Sequence, residues 1–204
     1  MYRVLIFIGF FFLLGCSNNE KQKDEWAGTN WFQLKNENIL LRLPTEFKTS
    51  SRFRIKEDIP IAKKFSNQLP TLQNYLEYLE SLDSEIDVLV DTTKEYRMVV
   101  ICNSPKVNID VTSANIIRQQ MEVSFGNKEK INPLLTFSKI KGKWKENTTH
   151  KLAQYSTEIL DLAVNSKLYN TIYLLSGPSF TLQIYEISNE PENIEKYLWT
   201  SKVL

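Results

Sequence analysis

Histidine is nearly missing from this chain: His150 is the only one in 204 residues, and cysteine occurs twice, at Cys16 and Cys102. Tetrahedral zinc takes three or four imidazole or thiolate ligands, so no donor set for it exists here. A serine hydrolase would need His150 as its base and commonly presents its nucleophile on a Gly-x-Ser-x-Gly elbow, a pattern that does not occur. With six glycines and no Gly-x-Gly, phosphate-cradling loops are absent too. Formal net charge is +1, which gives no electrostatic case for nucleic acid as a partner. No apolar run reaches the ~20 residues that cross a bilayer as a helix. Acid, base, metal and cofactor sets are all lacking, so the chain is expected to be no enzyme and to carry no cofactor.

What is there begins at the first residue. Met1-Tyr2-Arg3 carries one positive charge, Val4 to Leu14 is an apolar run of eleven residues, and Leu13-Leu14-Gly15-Cys16 follows. An apolar segment of roughly 7 to 15 residues suits a cleaved signal and not a membrane span. The pattern resembles a bacterial lipoprotein signal peptide with its lipobox. That resemblance implies cleavage before Cys16 and lipid attachment to the Cys16 thiol. Two or three acyl chains anchor stably where one binds reversibly, at about 0.8 kcal/mol per buried methylene. The plainer reading is an ordinary cleaved signal with a chance cysteine.

Cleavage would remove the fifteen residues before Cys16, Arg3 with them. It would leave 189 residues, with 24 of the 25 basic side chains against 24 acidic ones. Lipidated Cys16 leaves Cys102 alone, which excludes an intramolecular disulfide. The expected organisation is a signal over residues 1–15, a lipidated tether over 16–25 and a single domain over 26–204. Within the tether, Gln22-Lys23-Asp24-Glu25 resembles the surface-export signal of some Bacteroidetes lipoproteins, displaced here by several residues from the cysteine. A solvated linker is the plainer account.

From Trp26 onward the pattern is mixed. Trp31 to Leu34 and Asn38 to Leu43 read as strands around the turn-prone Lys35 to Asn38, with Pro44 closing the second. Arg52 to Ile55 reads as a short extended segment. Thr71 caps a predicted helix whose Leu72, Tyr75, Leu76, Leu79 and Leu82 form one stripe. Tyr96 to Cys102 is β-branched and reads as a central strand. Ser113 to Phe125 reads as a second helix stopped by Gly126 and Asn127. Strands are predicted at Leu134 to Ile140, Trp144 to Glu146, Lys151 to Leu160, Leu168 to Leu175 and Ser179 to Ile187, with Gly142 in a turn. A closing helix from Asn189 has Glu192 at capping-box spacing and an Ile194, Tyr197, Leu198 stripe.

This order predicts an α+β class, an antiparallel sheet flanked by helices. Ile39 to Phe47, the long hairpin and the helix ending at Trp199-Thr200-Ser201 are similar to the PsbP type of α/β/α sandwich. That likeness implies a binding or accessory role more often than catalysis, and it carries over no functional residue.

The remaining candidates each have a plain alternative. His150 reads as a surface-loop residue and Cys102 as a small core hydrophobe. Glu77, Glu80 and Asp83, like Glu190 and Glu192, read as solvated or helix-capping carboxylates and not as calcium ligands. Asp91-Thr92-Thr93 resembles the O-glycosylation motif of Bacteroidetes periplasmic proteins, and Asn147-Thr148-Thr149 fits a glycosylation sequon; matches of three residues arise by chance. Lys139, Lys141, Lys143 and Lys145 recur at every second position. On a strand this puts four charges on one face with Ile140 and Trp144 on the other. Such a stripe suits an anionic surface or an acidic partner, at about 1 kcal/mol per lysine, or it protects an edge strand from unwanted pairing.

The expected function is that of a membrane-anchored envelope lipoprotein, outer-membrane, periplasmic or surface-facing, that binds another envelope protein as an accessory or assembly module. The alternatives are an immunity-type lipoprotein that binds a toxin or an envelope hydrolase.

Overall fold

The computed structural model describes residues 26–35, 38–51, 54–58, 86–163 and 165–204. Cys16, the tether, the predicted stripe from Leu72 to Leu82, and Glu77, Glu80 and Asp83 lie outside the described residues. Strand alternation builds a small sheet in which β1 (Thr29–Gln33) pairs antiparallel with β2 (Ile39–Pro44), Trp31 opposite Arg42. Along β2 every second side chain turns inward, and Ile39, Leu41 and Leu43 are at most 1% exposed. Burying each such side chain contributes ~1.5–3 kcal/mol. The third strand of this sheet is Lys202–Val203, on the far side of β2.

The larger sheet has eight strands, every pair antiparallel. Its path runs β3 (Phe47–Ser50), β4 (Ile86–Asp91), β5 (Arg97–Ser104), β10 (Thr181–Ser188), β9 (Ser166–Ser176), β8 (Lys151–Asp161) and β6 (Leu135–Phe137), and β7 (Lys141–Glu146) also pairs with β8. Among the described residues the helices are α1 (Ile55–Asp58), α2 (Val111–Ile131) and α3 (Glu195–Leu198), and the Lys202–Val203 strand is β11. The class is α+β. Two apolar layers result: Val88, Met98, Val100 and Tyr155 meet the inner side of α2 on one face, while Leu89, Val99, Ile101 and Ile184 meet β2 and α3 on the other.

Several boundaries differ from expectation for identifiable reasons. Gly126 does not stop α2, which runs on to Ile131. Contacts on both sides of the glycine outweigh its cost of about 1 kcal/mol in a helix interior. Phe125 stacks on Phe137 with centroids 4.6 Å apart, and Glu129 accepts a hydrogen bond from the Phe137 N–H at 2.6 Å. The N-terminus of α2 is closed by a capping box between Asp110 and Ser113. Asn189 does not begin the closing helix. Its N–H donates to Tyr96 O, Pro191 follows two residues later, and α3 is a single turn starting at Glu195. Gly142 is not a turn but lies inside β7 opposite Tyr155, and a Cβ there would meet Arg118 Cδ at 2.9 Å. Ile55 opens α1 and is not extended. Strands β3, β4 and β11 were not predicted.

Candidate functional site

A cluster of buried charged side chains lies where β4, β5 and β10 meet under the α3 segment. Pairing aligns Glu186 with Val99, Arg97 with Ser188 and Phe47 with Asp91, which brings three charges to one end of the inter-sheet layer. Arg97 donates through Nη2 to Glu186 Oε1 at 2.9 Å and through Nη1 to Asp91 Oδ2 at 3.3 Å, and Glu192 lies 3.5 Å from Nη2. Its guanidinium also covers the Phe47 ring, 4.9 Å from the centroid. Asp91 and Glu186 are each 2% exposed. Burial opposes the Arg97 charge, but Glu186, then Glu192 and Asp91, hold its pKa above the ordinary value.

The second oxygen of Glu186 organises the chain that follows β10. Glu186 Oε2 accepts from Tyr173 Oη at 2.8 Å and from the Ile194 N–H at 3.2 Å. Asn193 Oδ1 lies 3.2 Å from the same Tyr173 Oη. Burial, reinforced by Glu186, pushes the Tyr173 phenol far above its ordinary pKa. These carboxylates are occupied by donors on both oxygens, so their chemistry is structural: they seat α3 on the large sheet. Sequence reasoning placed Arg97 only as a strand residue, and Asp91 only in a glycosylation-like motif whose Thr93 N–H and Oγ1 now bond to the Asp91 carboxylate.

His150 is not a surface-loop residue. It is 7% exposed, packed 5.9 Å from the Phe180 ring, and both ring nitrogens are engaged. Nε2 lies 3.3 Å from Ser201 Oγ and Nδ1 lies 2.7 Å from Thr149 Oγ1. Ser201 Oγ donates its only proton to Leu198 O at 2.7 Å, so the bond to the ring is donated by Nε2–H. A nucleophilic serine would give that proton to the imidazole instead. The pair therefore ties the end of α3 to the start of β8.

Desolvation, with Lys106 adding to it, lowers the His150 pKa below 6.5, against a smaller raising effect from Ser201. The unfolded chain then takes up its proton first as pH falls. Stability from this group is complete above about pH 6.5 and declines as pH drops toward the lowered native value. Thermal unfolding between roughly pH 7.5 and 5 is expected to show a component of this decline that His150→Gln lacks. Identical slopes for both proteins would contradict this.

Cys102 is 3% exposed in the layer under α2, and burial, then Asp87, pushes its thiol up to about 12. It lies on the opposite side of the sheet from the Phe180 layer against which His150 packs. Glu190 and Glu192 pair with Lys94 at 3.0 and 3.5 Å. Among the described residues no group of three or more His, Cys, Asp or Glu side chains is arranged to hold a metal.

The lysine series is placed by β7. Lys141, Lys143 and Lys145 stand opposite Ser156, Gln154 and Leu152. Leu152 belongs to the layer under the small sheet, so these lysines project on that side of the large sheet, while Trp144 packs toward α2. Lys139 precedes the strand, and Lys145 pairs with Glu195 of α3. A shallow depression lined by Leu34, Lys35, Ile39, Asp87, Ile101, Asn103 and Leu182 encloses only about 10 Å³, far below the roughly 300 Å³ at which small-molecule sites begin.

No family model matches this chain. A search of curated proteins finds no match either.

Proposed function

We propose that this chain is a lipid-anchored protein of the cell envelope that works by binding, as an accessory or assembly module for another envelope protein, and not by catalysis. The observation that carries the reading is Leu13-Leu14-Gly15-Cys16 directly after a single short apolar run. It is supported by what the reactive side chains are doing. His150 and Ser201 lock α3 to β8, Cys102 packs in the core, and Asp91 and Glu186 balance Arg97. The finer fold reading, an α/β/α sandwich of PsbP type, belongs to the same proposal and draws on α2 against one face of the large sheet and α3 against the other. Lys139, Lys141, Lys143 and Lys145 are proposed as contacts to an anionic surface or an acidic partner.

The test is complementation of a deletion strain by full-length His150→Ala, Ser201→Ala and Cys102→Ala, with folding checked by circular dichroism. All three are expected to restore the wild-type phenotype. A folded variant that fails to do so would place its side chain in a reaction and overturn the non-catalytic reading.

A further inference from the structure

The outer face of the small sheet carries a continuous row in which cations and aromatic rings alternate. Lys202 Nζ lies 4.7 Å from the centroid of the Trp31 ring, and the Arg42 guanidinium lies 4.5 Å from Trp31 and 4.7 Å from Trp26. Trp26 meets Tyr197 with centroids 6.2 Å apart, and Lys196 Nζ lies 4.7 Å from the Tyr197 ring. β1 explains why rings are outside. Trp31 and Phe32 are neighbours on a strand and must take opposite faces; Phe32 packs inward and Trp31 stays 38% exposed.

The cations on this face belong to the set without a carboxylate partner, as do Lys48, Lys130, Lys139, Lys141, Lys143 and Lys151 elsewhere among the described residues, and differ from that set in lying against aromatic rings. Lys94, Arg97, Arg118, Lys145 and Lys167 each pair with a carboxylate. Among the described residues, no carboxylate pairs with Arg42, Lys196 or Lys202. Their N–H groups remain able to meet oxyanions, and a guanidinium suits phosphate in particular. Amphipathic rings with cations beside them suit the depth at which a bilayer changes from acyl chain to headgroup.

We propose that this face docks on the surface of a bilayer containing anionic phospholipid and so orients the domain against the membrane. The inference rests on the lipid-anchor reading. Trp26, inside the row, is ten residues from Cys16 in sequence. A chain of that length reaches at most about 35 Å, with a root-mean-square span of about 16–19 Å if flexible. A reach of that size exceeds the Debye length of about 10 Å at 0.1 M salt, so attraction to the surface field acts only once this face has come close to the bilayer. Trp26 is the first described residue, so the chain that leads back to Cys16 leaves from this face. Lys141 and Lys143 project on the same side of the large sheet and add positive charge there.

The full-length protein, extracted in detergent and weighed by intact mass spectrometry, is reconstituted into vesicles of phosphatidylglycerol and phosphatidylcholine brominated near the headgroup. Bromine is expected to quench indole emission, and Trp26→Phe/Trp31→Phe is expected to lose most of that quenching. Arg42→Glu/Lys202→Glu should weaken docking by at least about 30-fold, since two cations are lost and two anions gained at an anionic surface. Vesicles of phosphatidylcholine alone should quench little. Undiminished quenching in the charge-reversal variant, or equal quenching without phosphatidylglycerol, would overturn the proposal. So would loss of quenching in a Lys139, Lys141, Lys143, Lys145 glutamine variant but not in Arg42→Glu/Lys202→Glu. Absence of lipid mass would overturn the anchor reading separately. Docking would then be judged by co-sedimentation of the same preparations: recovery of wild type but not of the charge-reversal variant would keep the face, and recovery of neither would remove it.

Discussion

Arg97→Ala is expected to lower the unfolding free energy by about 3–5 kcal/mol, the usual consequence of removing one partner from a buried ion pair. The side chain of Arg97 is 8% exposed, and those of Asp91 and Glu186 are 3% and 2% exposed. Alanine would leave two carboxylates in the inter-sheet layer with no cation between them. The effect should spread along the chain, because Glu186 also accepts from Tyr173 and from the Ile194 N–H. A carboxylate drawn toward water would release both donors and loosen the seat of α3. Urea unfolding followed by far-ultraviolet circular dichroism measures this. A loss below about 1 kcal/mol, the range of an exposed pair, would show that the network carries little of the fold. A companion variant with Arg97, Asp91 and Glu186 all made apolar should lose much less, since apolar replacement of a whole buried ion group is often neutral or stabilising.

The strands most easily read from sequence were those with the strongest local pattern. Asn38 to Leu43 is apolar and closed by Pro44, Tyr96 to Cys102 is β-branched, and Ser179 to Ile187 alternates from Thr181 to Tyr185; they appear, with ends shifted by one or two residues, as β2, β5 and β10. Boundaries failed where a distant contact overruled a local signal. Gly126 is a helix stop by propensity, yet Phe137 and its backbone N–H hold the helix beyond it. Gly142 is a turn signal by propensity, yet it serves to admit the Arg118 stem.

The polar cluster was illegible because its members stand at positions 91, 97, 186 and 192, and only the pairing of β4, β5 and β10 collects them. His150 was taken for a loop residue because polar neighbours surround it in sequence. Phe180 and Ser201, which cover it, come from elsewhere in the chain. The row from Lys202 to Lys196 had one visible trace: adjacent Trp31 and Phe32 on a strand cannot both face inward. The lysine series was legible as alternation, but its exposure to solvent on the side of the small sheet depends on β7 lying along β8.

The second large effect concerns the anchor. Cys16→Ser removes the thiol that the lipobox resemblance makes the lipid acceptor, and a serine hydroxyl is a far weaker nucleophile than a thiolate. Processing and lipid attachment should both fail, leaving precursor with the apolar Val4 to Leu14 segment still attached. Circular dichroism of the same variant separates the two consequences, anchor and fold. Growth with radiolabelled palmitate, followed by gel analysis of wild type and Cys16→Ser, reads the outcome directly. The wild-type band is expected to carry label and the serine variant to carry none and to migrate as unprocessed precursor. Label on the serine variant, or none on the wild type, would contradict the account.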